Sequence, residues 1–150
     1  MPLVLNGATS GSTTIQATDA VTATLTLPSS TGTLLSTANP QSGGVIQVVQ
    51  GTTTTNTSTS STSFVSTNLT ASITPKFSTS KILALVTGGD LDTQSNGAQG
   101  CATIYRGASN LGNATGLENN YSSGTRLITP NSMSIIDSPA TTSSTTYAVY

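Results

Sequence analysis

The residues able to do chemistry are few. The chain has no histidine, one cysteine (Cys101) and five carboxylates: Asp19, Asp90, Asp92, Glu118 and Asp137. Without histidine the commonest general base is missing, and with it Ser–His triads, HExxH zinc sites and imidazole metal centres. Cys101 lies between Gly100 and Ala102 at the start of a strand-like run. Having no histidine to activate it, it reads as a small buried hydrophobe, not a nucleophile. A glycosidase needs two carboxyl groups about 5–9 Å apart in a cleft. Asp90 and Asp92 share a face if extended, and Glu118 falls in a second polar segment, but no spacing draws them together. The expectation is a chain that is not an enzyme and holds no cofactor.

One stretch has a site-like spacing. Asp90-x-Asp92-x-Gln94-x-Asn96-Gly97 sets oxygen side chains at alternate positions ahead of a glycine, as a calcium loop does. Gln94 stands where such a loop has Asp or Asn, and the twelfth position counted from Asp92 is Thr103, not Glu. Asp90, Asp92 and Asn96 are the candidate metal ligands, with a solvated polar loop the preferred reading. Asp137 precedes Ser138-Pro139, where it suits an Asx-type turn. Arg106 and Arg126 are the only arginines, and Asp137, Glu118 or a neighbouring subunit are their expected partners. Tyr121 follows Glu118-Asn119-Asn120 in a polar stretch. The expected receptor-facing loops are 88–100 and 107–124, carrying Asp92, Asn96, Glu118, Asn120 and Tyr121.

Those loops need a frame, and composition describes it. Of 150 residues only 6% are charged and 34% hydrophobic. Ordinary soluble domains carry about 25% charged residues. Here 31 Thr and 23 Ser take their place. Threonine fits a pleated surface and resists a helix, while serine competes for backbone bonds and favours turns. Net charge is -1, so no basic surface exists to neutralise phosphates, and nucleic acid is not an expected partner. No apolar stretch approaches the roughly 20 residues of a membrane helix, and no secretory signal is legible after Met1. The four N-x-S/T triplets, at Asn56, Asn68, Asn113 and Asn120, follow from the Ser/Thr content.

Period-2 alternation recurs and no 3.6-residue period does. The expected strands are Thr13–Ala17, Val21–Leu27, Thr33–Leu35, Val45–Gln50, Phe64–Val65, Leu69–Ile73, Lys81–Val86, Cys101–Tyr105, Arg126–Ile128, Met133–Ile136 and Thr145–Tyr150. Lys81–Val86 is the most apolar and reads as a central strand buried on both faces. Residues 36–44 have linker composition. The chain is therefore read as all-β, an N-terminal arm (1–40) of short strands, intertwined or strand-adding, and an antiparallel β-sandwich or jelly-roll head (41–150). An arm of about 40 residues cannot bury a core alone and needs a partner. A strand running to Tyr150 must be paired, or the native chain continues.

Several blocks carry a resemblance. VIQVVQ (Val45–Gln50), STSSTSFVSTNLTASITPKFSTSKILALV (Ser58–Val86), ATIYRG (Ala102–Gly107) and IIDSPATTSSTTYAV (Ile135–Val149) resemble a domain of tailed-phage tail-fibre and virion structural proteins, cyanophage and marine-phage versions especially. GSTTIQATDAVTATLTLPSSTGTLL (Gly11–Leu35) resembles a phage-fibre repeat in which short strands of three chains wind together. The resemblance implies a β-sandwich head, a homotrimer, and attachment through the arm to a phage tail, baseplate or capsid protein. It also implies a chain made in the host cytoplasm and exposed on the virion, with a host surface glycan or protein as receptor. A capsid decoration or head-fibre protein is the alternative, and a carbohydrate-binding module or tailspike-like hydrolase the second.

Overall fold

A chain so rich in β-branched residues and so poor in Glu and Lys is expected to form strands. Every regular element among the described residues of the computed structural model is one. Those residues are 3–6, 10, 12–15, 29 and 44–150. The chain divides into two units, Met1–Ile46 and Gln47–Tyr150. In the first, β1 (Leu3–Asn6) and β2 (Ser12–Ile15) form an antiparallel hairpin with Leu3 opposite Ile15. The expected strands at 21–27 and 33–35, Asp19, and the linker up to residue 43 lie outside the described residues.

The second unit is all-β and antiparallel. Its strands are β3 (Thr70–Ile73), β4 (Ile82–Thr93), β5 (Gln99–Ala102), β6 (Ile104–Arg106), β7 (Ser109–Asn110), β8 (Glu118–Tyr121), β9 (Leu127–Asp137) and β10 (Thr145–Val149). A four-stranded sheet runs β3-β10-β6-β7, and two ribbons pair β4 with β9 and β5 with β8. Ile104 from β6 and Tyr147 and Val149 from β10 meet Met133 from β9 and Ala102 from β5 in one core. Ile82, Ala84, Val86 and Ile135 close over it from the β4–β9 ribbon.

Only Thr103, fully buried, separates β5 from β6. There the segment changes partner. Ala102 still accepts from the Leu117 N–H at 2.9 Å, while Thr103 exchanges two backbone bonds with Tyr150, at 2.9 and 3.0 Å. The expected single strand Cys101–Tyr105 is thus split between two sheets.

Further sequence expectations are corrected. Residues 88–100 are not one loop. Gly88 and Gly89, with φ of 92° and 73°, form a bulge between Thr87 and Asp90, after which β4 resumes its pairing. Two glycines in the left-handed region can kink a strand as well as end it. Opposite, β9 runs unbroken through Pro130, which pairs with Asp90 at the bulge, where a missing N–H is tolerated. Arg126–Ile128 and Met133–Ile136 are therefore largely one strand. Residues 107–124 likewise contain β7 and β8. Lys81–Val86 is not buried on both faces: Leu83 and Leu85 are 63% and 66% exposed. The ribbon covers the core with one face only.

Val45–Gln50 joins no strand; Val45 and Val48 are 85% and 82% exposed. Phe64–Val65 is also outside the strands, its ring meeting Tyr105 edge-on at 6.1 Å. The threonine and serine run between them supplies its own backbone partners. Thr55, Ser61 and Ser63 N–H groups donate to the hydroxyls of Thr53, Thr59 and Ser61 at 3.2, 2.9 and 3.0 Å. Such local bonds offer the backbone an alternative to a ladder.

Gly116 illustrates how tightly the β7–β8 connection is set. Its φ is +86°, and a Cβ there would lie 2.3 Å from the Ala102 carbonyl oxygen. Gly116→Ala must strain the backbone and displace β5. The expected loss is about 2–4 kcal/mol, read as a lowered Tm in a thermal melt.

Candidate functional site

The head holds three polar constellations. The first uses the strand that the bulge prolongs. Asp92 lies opposite Ile128 in the β4–β9 ladder, which brings it within reach of Arg126 just before β9. Arg126 donates from Nε to Asp92 Oδ1 at 2.9 Å and from Nη2 to Oδ2 at 2.6 Å. Gln94 Nε2 adds a bond to Oδ2 at 3.2 Å. The Arg126 guanidinium, then Gln94, hold the Asp92 carboxyl below its ordinary range. A bidentate guanidinium takes both oxygens that a cation would need. Asp90 sits on the strand opposite Pro130, and Asn96 lies on the exposed turn after β4. Among the described residues no cluster of three or more His, Cys, Asp or Glu could hold a metal ion.

The second constellation centres on Asn120 in β8, 7% exposed. Its Oδ1 accepts from the Thr93 hydroxyl, and from the Gly100 N–H at 3.2 Å. Its Nδ2 donates to the Leu91 carbonyl at 2.9 Å and to Thr129 Oγ1 at 3.0 Å. One amide thereby ties β8 to β4, β5 and β9. Asn120 was expected in a receptor-facing loop. It faces inward instead, because strand alternation buries it while its neighbours Asn119 and Tyr121 are exposed. A sugar on the Asn120 triplet would have no room in this state. Tyr121 is 61% exposed, and Glu118 Oε2 accepts from the Ser132 N–H at 3.0 Å, capping part of β9. Of the five receptor-facing candidates, only Asn96 lies outside a strand.

The third constellation joins the sheet to the ribbon. Arg106 ends β6, Asp137 ends β9, and Tyr147 sits in β10 opposite Arg106. Arg106 Nη1 donates to both Asp137 oxygens, at 2.7 and 2.8 Å, and the Tyr147 hydroxyl donates to Oδ2 at 2.6 Å. Burial alone would raise the Asp137 carboxyl. Bonds from Tyr147 and Arg106, the Arg106 charge and the Ser138 N–H outweigh it and leave the carboxyl lowered. Burial, then the Asp137 bond and charge, push the Tyr147 hydroxyl well above its ordinary value. Asp137 was a foreseen partner of Arg106; Tyr147 was not foreseen. Its signal is the inward row Thr145, Tyr147, Val149, where a buried phenol requires a partner.

Cys101 is half-buried, and burial raises its thiol. Comparison with known protein families, characterised proteins and solved structures gives no match.

Proposed function

We propose that this chain is a non-enzymatic structural component of a bacteriophage particle, a trimeric tail fibre or receptor-binding accessory. The N-terminal arm attaches it to the particle and the head is displayed. The observation that carries the reading is the outer face of the β4–β9 ribbon. Leu83, Leu85 and Ile136 stand there 63%, 66% and 66% exposed, with Leu83 directly opposite Ile136. Their outward neighbours Thr87, Ser132 and Ser134 are uncharged, and one charge, the exposed Lys81, stands at the end of the row. A contiguous apolar face on a displayed protein marks an interaction surface. Copies of the same chain suit it, because a chain with 6% charged residues brings almost no repulsion to a homotypic contact. Covering the three side chains contributes about 3–6 kcal/mol per chain.

The carboxylates support the non-enzymatic part. Asp92, Glu118 and Asp137 are each engaged by an arginine or a backbone N–H. Composition and the resemblance of the quoted blocks support the phage setting. Light scattering on the full chain tests the assembly. A trimer at micromolar concentration is expected, and the double variant Leu83→Lys/Leu85→Lys should give folded monomers whose melt is lower by the lost association and no longer depends on protein concentration. A wild-type monomer overturns the trimer. Antibody labelling of purified particles tests the location, and a chain missing from particles overturns the virion reading.

A further inference from the structure

We propose that the depression over Arg106 is a saccharide subsite, and that its ligand is an acidic sugar of the hexuronate class whose carboxylate meets the Arg106 guanidinium. The inference deepens the attachment reading and rests on it for its biological setting. The space is a shallow depression of about 420 Å³, open to solvent and lined by Arg106, Gly107, Pro139, Thr141, Ser144 and their neighbours. That lies within the range of small-molecule sites. Of the receptor-facing segments expected from the sequence, only Gly107, the first residue of 107–124, lines it.

Four features point to this ligand. Arg106 is only 32% exposed, and its bonds within the described residues all leave from Nη1. Nε and Nη2 therefore have no partner among the described residues, and such a donor pair matches a carboxylate in a parallel fork. Asp137 holds the guanidinium by Nη1 through both carboxylate oxygens, and Tyr147 fixes Asp137. The fork is thus oriented before any ligand arrives, which removes part of the ordering cost of binding. The remaining lining is hydroxylated. Thr141 Oγ1 accepts from the Ser143 N–H at 3.0 Å, which leaves its own proton to donate. The Ser144 hydroxyl has no partner among the described residues, while Pro139 offers an apolar surface to a sugar ring.

Because Asp137 balances the Arg106 charge, the attraction for an anion is modest. A single site is expected to bind weakly and salt-sensitively, with the copies of an assembly acting together through avidity. The probe is sodium galacturonate, titrated into the isotopically labelled full chain and followed by amide chemical shifts. Gly107, Thr141 and Ser144 should shift saturably, with glucose and acetate each about tenfold weaker. Arg106→Lys keeps the charge opposite Asp137 but loses the fork, and should weaken binding about tenfold. Ser144→Trp fills the depression from a position that makes none of the Arg106–Asp137–Tyr147 contacts, and should abolish the shifts at an unchanged Tm. No saturable response to galacturonate, an equal response to acetate, or a response that survives Ser144→Trp overturns the proposal. Any of these leaves light scattering and particle labelling unaffected, so loss of the subsite is distinguishable from loss of the virion reading.

Discussion

Replacing Asp137 with Ala should cost the head about 2–4 kcal/mol. One carboxylate serves two layers. It receives Arg106 from the four-stranded sheet and belongs itself to the β4–β9 ribbon, while the Tyr147 phenol, in the core, donates to it. Truncation strands both donors at once. Arg106 retains some water and loses less than a fully buried cation would, but the phenol is almost fully covered and has no other acceptor among its described contacts. The loss appears as a drop in Tm of about 4–8 °C per kcal/mol for a domain of this size. A variant melting within a few degrees of wild type would show that the pair merely decorates the edge of the core.

The same cluster gives stability two pH limbs with opposite signs. The Asp137 carboxyl is held below its ordinary value of 3.8. The unfolded chain therefore takes up the proton first on acidification. The stabilisation is complete above that value and is lost as pH falls through the lowered folded one. The Tyr147 hydroxyl is raised above its ordinary 10.0. Here the unfolded chain releases the proton first, so stability is complete below pH 10.0 and declines as pH rises beyond it. Asp137→Asn should flatten the acid limb and Tyr147→Phe the alkaline one, in thermal melts taken across pH. An alkaline limb of full size in Tyr147→Phe would place its origin in another group.

Much of this frame was legible in the residues. The expected strands Leu69–Ile73 and Thr145–Tyr150 match β3 and β10 to within one residue at an end. Residues 88–100 failed because Gly88-Gly89 is read equally well as a turn or as a bulge, and only a partner strand decides. That partner was itself hidden, since Pro130 reads as a break between two short strands until it is seen to sit opposite the bulge. Lys81–Val86 misled in another way. An unbroken apolar run implies burial on both faces, yet Leu83 and Leu85 are left open. The run makes sense if a second surface covers it, which is what the assembly proposal supplies. At the site, charge scarcity made Arg106 with Asp137 a foreseeable pair. Asp92 with Arg126 was not foreseeable, because the two meet only in the register the bulge creates.

Asn120 lay beyond the reach of sequence reasoning for the same reason, and its replacement should cost at least as much as that of Asp137. In Glu118-Asn119-Asn120-Tyr121 the two asparagines are interchangeable by composition, but parity in β8 turns only the second inward. Asn120→Ala removes both acceptor and donor from a buried amide. The Gly100 N–H, the Thr93 hydroxyl and the Leu91 carbonyl then lose a partner together. At about 1–3 kcal/mol per orphaned group, and less than additively, the expected loss is about 3–5 kcal/mol. The neighbouring Asn119→Ala, on the exposed side, should change stability by less than about 0.5 kcal/mol. Asn120→Asp then separates lost hydrogen bonding from lost packing, because it preserves volume. At neutral pH its carboxylate turns an acceptor toward the Leu91 carbonyl, where the amide had a donor. Protonation restores that donor. The variant should therefore gain stability as pH falls from 7 toward 5, a range in which wild type, with the Asp137 carboxyl still fully ionised, stays flat. Equal slopes in the two proteins would mean that the Leu91 contact carries no weight and that Asn120 acts through packing alone.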